Sequence, residues 1–308
     1  MSESDHQASA MTESSAEAAA AGLRTIAPGV RRIVAPNAGP FTADGTNTYL
    51  VGSGHVAVID PGPDLPAHLA AILAAVAGET VTHIFLTHTH RDHSGALAAL
   101  ADATGATVLS GGPHRLARPL APGEGNPFEE AGDAGHVPDR TLADGEQVTG
   151  DGWMIEALAT PGHAANHLAF ALPAAGLIFS GDHVMGWATS IVAPPDGAMG
   201  DYMASLDRLE ARPEARLLPG HGAPVEDARA RIATLRRHRQ GREAAILARL
   251  SAGDRTVTEL VTAIYRDTDP RLHAAAGLSV LAHLEDLVGR GLVTQAGPPG
   301  VGGRFAPA

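Results

Sequence analysis

Residues Thr87 to Gly95 read Thr-His-Thr-His-Arg-Asp-His-Ser-Gly, so three imidazoles and one carboxylate fall within six positions. Packing does not account for such a run, because neighbouring neutral imidazoles need hydrogen-bond partners and charged ones repel. Converged on one point by a turn, the same groups make a metal-binding geometry. Three further polar residues each follow an apolar run and a glycine or proline: His163 in Thr-Pro-Gly-His, Asp182 in Ser-Gly-Asp, and His221 in Pro-Gly-His-Gly. That context places each on a turn at a strand end. Together they make five histidines and two aspartates, enough for two metal ions with positions left for water. The chain has no cysteine, so thiolate ligands and cysteine nucleophiles are excluded and any metal is held by nitrogen and oxygen.

The elements that must position these side chains begin with β-rich runs at Val30 to Val34, Thr48 to Val51 and Val56 to Ile59. A helix from Leu65 to Ala77 leads to an apolar strand, His83 to Leu86, and the histidine run starts just beyond it. Ser94 is expected to cap the next helix, which runs to about Ala103. A strand near Val108 precedes an irregular stretch, Gly111 to Asp139, which reads either as a mobile loop beside a functional site or as a disordered insertion. Strands follow at Gln147 to Ala159, His167 to Ala171 and Leu177 to Phe179. Next come a helix from Tyr202 to Ala211, a short strand at Leu217 and Leu218, and a long helix from Glu226 to Leu250. This order fits two stacked sheets with helices outside.

Beyond Ser251, Thr256 and Glu259 form a capping box, a second helix presents Leu278, Leu281, Leu284 and Leu287 or Val288, and Leu292 to Phe305 supplies a β-wing. The tail therefore reads as a small winged helix. The expected organisation is a disordered tail over residues 1–22, a catalytic domain over 23–250 and a winged-helix domain over 251–308. The tail lacks the marks of a secretion or transit signal and no run is apolar enough to span a membrane, so a cytoplasmic protein without membrane contact is expected.

With these elements in place, the sequence resembles the metallo-β-lactamase superfamily: His88, His90, Asp92, His93, His163, Asp182 and His221 match its five-motif pattern without a gap. The resemblance extends over roughly residues 25–300. It implies an α/β fold of the four-layer αββα type with the metals at one edge between the sheets. It also implies that His88, His90 and His163 hold one zinc, that Asp92, His93 and His221 hold another, and that Asp182 bridges them. The runs Gly45 to Leu50 and Gly181 to Trp187, with the winged helix, resemble a subgroup of β-lactamase-like hydrolases, some of which cleave single-stranded RNA.

On that footing the expected cofactor is two Zn2+, the nucleophile a metal-bridging hydroxide, and Asp92 the proton carrier, unless it serves only as a ligand. Asp60 either orients a ligand histidine or forms a turn. His167 reads as a supporting group, His183 as a substrate contact or a backbone-bonded strand end, and Trp187 as core or, with Tyr202, as flanking a Pro194-Pro195-Asp196-Gly197 segment that walls the cleft and contacts substrate. His55, His68, His83, His114 and His136 are scattered without ligand spacing and receive no role.

The expected reaction is cleavage of single-stranded RNA, or alternatively hydrolysis of a small acyl substrate such as a thioester, lactone or β-lactam. Other classes are a di-iron oxidoreductase and a metal-stabilised binding module. All 22 basic residues are arginine and the formal charge is -12, which argues against coating nucleic acid through overall charge. A local stripe of Arg229, Arg231, Arg236, Arg237, Arg239 and Arg242 would draw in a polyanion, unless it is a solvated face paired with acidic neighbours. Glu285 and Asp286 on the second winged-helix helix make sequence-specific DNA binding a poor fit. The tail is expected to lie at the active-site mouth or to support a homodimer contact.

Overall fold

The computed structural model describes residues 22–298 and 300–308, so the tail expected over residues 1–22 lies, up to residue 21, outside the described residues. A seven-stranded sheet runs in the order β1 (Arg24–Ala27), β2 (Val30–Val34), β3 (Asn47–Val51), β4 (His55–Ile59), β5 (Thr80–Leu86), β6 (Thr107–Ser110) and β7 (Arg140–Thr141). The strands from β4 to β7 are parallel, and those before them pair antiparallel. A second sheet is ordered β12 (Arg216–Pro219), β11 (Leu177–Gly181), β10 (Leu168–Leu172), β9 (Trp153–Ala159) and β8 (Gln147–Gly150), with only β11 and β12 parallel.

Alternation along the strands explains why the sheets stack. On β10, Leu168, Phe170 and Leu172 enter the layer between the sheets, while Ala169 and Ala171 face the other way. On β5, Phe85 points inward and Ile84 and Leu86 outward. Phe170 meets Phe85 edge-on across the inner layer, with ring centroids 5.2 Å apart.

The outer face of the first sheet is covered by α1 (Pro66–Ala75) and α3 (Leu97–Thr104), through Ile72, Leu97 and Leu100. That of the second is covered by α4 (Met199–Glu210) and α5 (Ala228–Ala252), through Tyr202, Leu206, Ile232 and Leu235. The four-layer αββα arrangement is therefore present. Between α1 and α3 lies a single turn, α2 (Arg91–Ser94). Ser94 does not cap the following helix, whose N-terminus at Ala96 has no side-chain cap. Its hydroxyl instead donates to Asp133 at 3.2 Å, tying the histidine run to the long loop.

That loop is ordered against the site. The amide of Asp133 donates to the Thr89 carbonyl and that of Arg91 to the Ala131 carbonyl, both at 2.8 Å.

The C-terminal part forms the expected winged helix: α6 (Val257–Ile264), α7 (His273–Gly289) and the hairpin of β13 (Val293–Ala296) with β14 (Arg304–Pro307). The capping box of Thr256 and Glu259 starts α6. Ile246 and Leu250, at the end of α5, share a core with Leu260, Leu284 and Phe305, so one helix covers the second sheet and also enters the winged-helix core. Among the described residues no helix is long and apolar enough to cross a membrane.

Phe170→Ala removes a fully buried aromatic ring from the inner layer. It is expected to destabilise the fold by about 3 to 5 kcal/mol, read as a lower urea midpoint.

Candidate metal centre

Strands β4, β5, β9, β11 and β12 all end at one edge of the sandwich, and the polar residues follow those ends: Asp60 after β4, the histidine run after β5, His163 after β9, Asp182 after β11 and His221 after β12. The two sheets are stitched together there. Asn47 Nδ2 donates to the carbonyls of Pro219 and Gly222 at 2.8 and 2.9 Å, and Tyr49 donates its hydroxyl to Pro219 at 2.7 Å. The Gly45 to Leu50 run thus fixes the turn that carries His221. Gly220 in this turn has no room for a side chain, since a Cβ there would collide with Asp182 and His93.

All seven sequence-selected residues come together. Three groups of ligand atoms each lie within 4.8 Å of one another: His88, His90 and His163; His88, His93 and Asp182; and Asp92, His93 and His221. Asp182 lies between the histidine groups, with Oδ1 3.4 Å from His93 Nε2 and Oδ2 3.8 Å from His163 Nε2 and 3.2 Å from His221 Nε2. Six of the seven are buried, and Asp92 is the partly exposed one.

The opposite ring nitrogens determine what the inner ones present. His93 donates from Nδ1 to Asp60 at 2.9 Å, His90 from Nε2 to Asp196 at 2.6 Å and His163 from Nδ1 to the Ile191 carbonyl at 2.6 Å. His221 donates from Nδ1 to the Gly45 carbonyl at 3.3 Å. The Thr87 hydroxyl, which donates to Asp60, accepts from His88 Nδ1 at 3.0 Å. With the outer nitrogens carrying the protons, the inner ones carry lone pairs.

Those lone pairs face each other closely. His90 Nδ1 is 3.0 Å from both His88 Nε2 and His163 Nε2, and His93 Nε2 is 3.3 Å from His221 Nε2. Without positive charge between them these contacts repel, and Asp182 Oδ1 is buried with no hydrogen-bond donor. A donor set of imidazole nitrogens and carboxylate oxygens fits divalent cations.

The electrostatics express the same demand. Burial works against a charge on His93, yet Asp92, Asp182 and Asp60 hold its pKa well above the ordinary value. Burial is likewise outweighed at His221, which Asp182 and Asp92 push up to about 9. Burial and the surrounding imidazoles keep His88 neutral, well below the usual histidine range.

Asp60 is an orienting residue as well as a turn former. Its backbone is left-handed, with φ 53°, a conformation rare outside glycine, and this aims its carboxylate at three donors: the Thr87 amide, the Thr87 hydroxyl and His93. His167 takes a supporting place, stacked against His88 at 5.2 Å and bonded to the Thr160 hydroxyl at 2.8 Å. His183 does not line the cleft, and its backbone amide donates to the Ser180 carbonyl at 3.1 Å. It is fully buried, both ring nitrogens lack partners, and the ring packs 4.5 Å from that of Tyr202.

Asp196 is the residue that sequence reasoning missed. It lies in the Pro194-Pro195-Asp196-Gly197 run, where nothing in the sequence marks it as a partner of His90, and His114, assigned no role, sits 3.5 Å from it. Trp187 is 44% exposed rather than part of the core.

The site opens into a cavity of about 660 Å³. Phe41, Phe128, Met185, Trp187 and Ile191 line it from the sandwich, and Tyr265, Leu272, Ala275 and Ala276 from the winged helix. Phe41, Trp187 and Leu272 are among the few large apolar side chains left exposed, and all three belong to this cavity, which marks it as a binding surface.

The arginine stripe is free only at Arg229 and Arg237, which are exposed. Arg231 holds the carbonyls of Met185 and Ala188 at 2.6 and 2.5 Å. Arg236 pairs with Asp207 and Glu210, each at 2.5 Å. Arg239 is buried and bonds the Ser190 carbonyl. Arg242 lines the cavity.

Residues 41–221 match the family described as the Metallo-beta-lactamase superfamily, and residues 256–300 match the Beta-lactamase associated winged helix domain. An atrochrysone carboxyl ACP thioesterase of Aspergillus terreus is 32% identical over 258 residues, covering 79% of this chain and 73% of that protein. A beta-lactamase-like protein 2 homolog of Caenorhabditis elegans is 29% identical over 276 residues, covering 88% of each. Among solved structures, a metallo-beta-lactamase family protein from Thermus thermophilus superposes with a TM-score of 0.74 at 28% identity, covering 92% of this chain and all (100%) of that one.

If Asp60 fixes the His93 ring, Asp60→Ala is expected to weaken zinc binding about 10- to 100-fold. Competition against a chromophoric chelator measures this, with the surface change Asp151→Ala leaving affinity unchanged.

Proposed function

We propose, from the premise that this chain belongs to the metallo-beta-lactamase superfamily and is a hydrolase of that fold, that it is a di-zinc hydrolase of acyl thioesters. The carrying observation is the apolar cavity that opens on the histidine and aspartate cluster. It suits an acyl group better than a phosphate backbone. The fungal relative, named as a thioesterase, supports the same reading. RNA cleavage, which the subgroup resemblance suggests, loses the support of the arginine stripe, because Arg231, Arg236 and Arg239 are committed to partners within the protein.

His88, His90 and His163 would hold one zinc, Asp92, His93 and His221 the other, and Asp182 would bridge them. Two such cations supply polarisation of the thioester carbonyl and bring the pKa of the attacking water toward ~7. The protein's own groups do the rest. Asp60, Asp196 and the Ile191 carbonyl hold the imidazoles in the required tautomers. Phe41, Trp187 and Leu272 take the acyl chain and displace water from around the scissile bond.

Asp92, the partly exposed carboxylate, lies with Oδ2 3.2 Å from His221 Nε2, at the boundary of cluster and cavity. It accepts the proton from the attacking water as oxygen bonds to the carbonyl carbon. As the C–S bond breaks, it returns that proton to the departing sulfur, leaving an acid and a thiol. The winged helix takes part as a cavity wall rather than as a reader of DNA. In keeping with that role, Arg118 holds Glu285 of α7 at 2.6 Å, and Arg290 holds Asp286 at 3.0 Å.

The zinc-loaded protein is expected to hydrolyse acyl N-acetylcysteamine thioesters with kcat/KM rising as the acyl chain lengthens from two to eight carbons, and to leave labelled single-stranded RNA intact. Asp92→Ala should lower kcat about 10²- to 10⁴-fold. Cleaved RNA beside untouched thioesters would reverse the assignment.

A further inference from the structure

Hydrolysis makes no use of one corner of the cavity. His238, Arg239 and Arg242 share a face of α5 and line this corner, and Thr268 and Ser279 line it from the winged helix. Arg239 is spoken for: it donates to Ser279 Oγ at 3.1 Å and to the Ser190 carbonyl, and its guanidinium lies 5.1 Å over the Tyr202 ring.

Arg242 differs in donating no side-chain hydrogen bond among the described residues. Its guanidinium stacks 4.4 Å over the ring of Tyr265, and its Nε, like that of Arg239, is buried without an acceptor. Among the described residues no carboxylate pairs with it. The nearby acids serve other cations: Glu243 holds Arg290 at 2.6 Å, Asp286 holds the same arginine, and Glu285 holds Arg118. His238 Nδ1 is a further buried nitrogen without a partner, and burial together with Arg239, Arg242 and Arg231 keeps the His238 pKa below the usual range.

A guanidinium facing an apolar cavity with donors unmet is costly unless an acceptor arrives with the ligand, and its planar fork matches an oxyanion. Resting on the thioester reading, we propose that this corner binds an anionic group carried by the substrate, with Arg242 as its partner. Two sources offer that chemistry: a carboxylate at the far end of the acyl chain, or the phosphate of a pantetheine carrier. Either way the group lies remote from the scissile bond, so Arg242 acts on substrate selection and leaves the bond-breaking groups untouched.

Product binding tests this without turnover. Calorimetric titration of the zinc-loaded full-length protein would compare octanoate with octanedioate, and pantetheine with 4′-phosphopantetheine. In at least one pair the member with the added anion is expected to bind about tenfold or more tightly, as for a hydrogen-bonded charge. Arg242→Gln should erase that preference, and Arg242→Lys, which keeps the charge but loses the fork, should retain part of it. Thermal unfolding checks that both variants are folded. Preference in the first pair assigns the acyl carboxylate, and in the second the carrier phosphate. Equal binding within both pairs by the wild type, or a preference that survives Arg242→Gln, overturns the proposal. Thioesters left unhydrolysed by a protein that still shows the preference would count against the thioester reading alone.

Discussion

The constraint on which the rest depends is a demand for positive charge. Five imidazoles each commit the outer ring nitrogen to an outward partner, so that five inner nitrogens meet at the edge of the sandwich within 3.0 to 3.3 Å of a neighbour. Such an arrangement is stable only around positive charge. Asp60, Asp196, Thr87 and two backbone carbonyls enforce it from outside, and Asp92 and Asp182 reinforce it from inside. The twofold stitching of Asn47 and the Tyr49 hydroxyl to the Pro219–Gly222 turn serves the same end, because His221 and His93 reach the cluster from different sheets.

The seven central residues could be read from the chain because four crowd into the run directly after one strand and the other three each follow a strand with glycine or proline to turn the chain. The layers could be read for a related reason, since Phe170 with Ala169, or Phe85 with Ile84, alternate in a way that only a sheet buried on both faces permits. The outward partners were harder. Asp60 carried a signal at its strand end, but Asp196 is 106 positions from His90 in a segment with no periodicity, and nothing local marks it as that histidine's partner.

The errors have physical causes too. Ser94 satisfies capping statistics, yet Asp133 offers its hydroxyl a charged acceptor, and helix α3 begins three residues later without it. Trp187 has the composition of a core residue and the position of a cavity wall, and only the neighbours brought in by the winged helix distinguish the two. The arginines of α5 look alike in sequence. Their fates diverge because the helix passes successively over backbone carbonyls, acidic side chains and the cavity.

Helix α5 lies under the second sheet at one end and within the winged-helix core at the other. The catalytic edge and the far wall of the cavity are therefore built on different parts of the chain but held in fixed registration by one rod. Mutational drift in the tail can reshape which molecules fit while the chemistry stays intact, so lineages carrying this architecture are free to trade substrates without reinventing a catalyst.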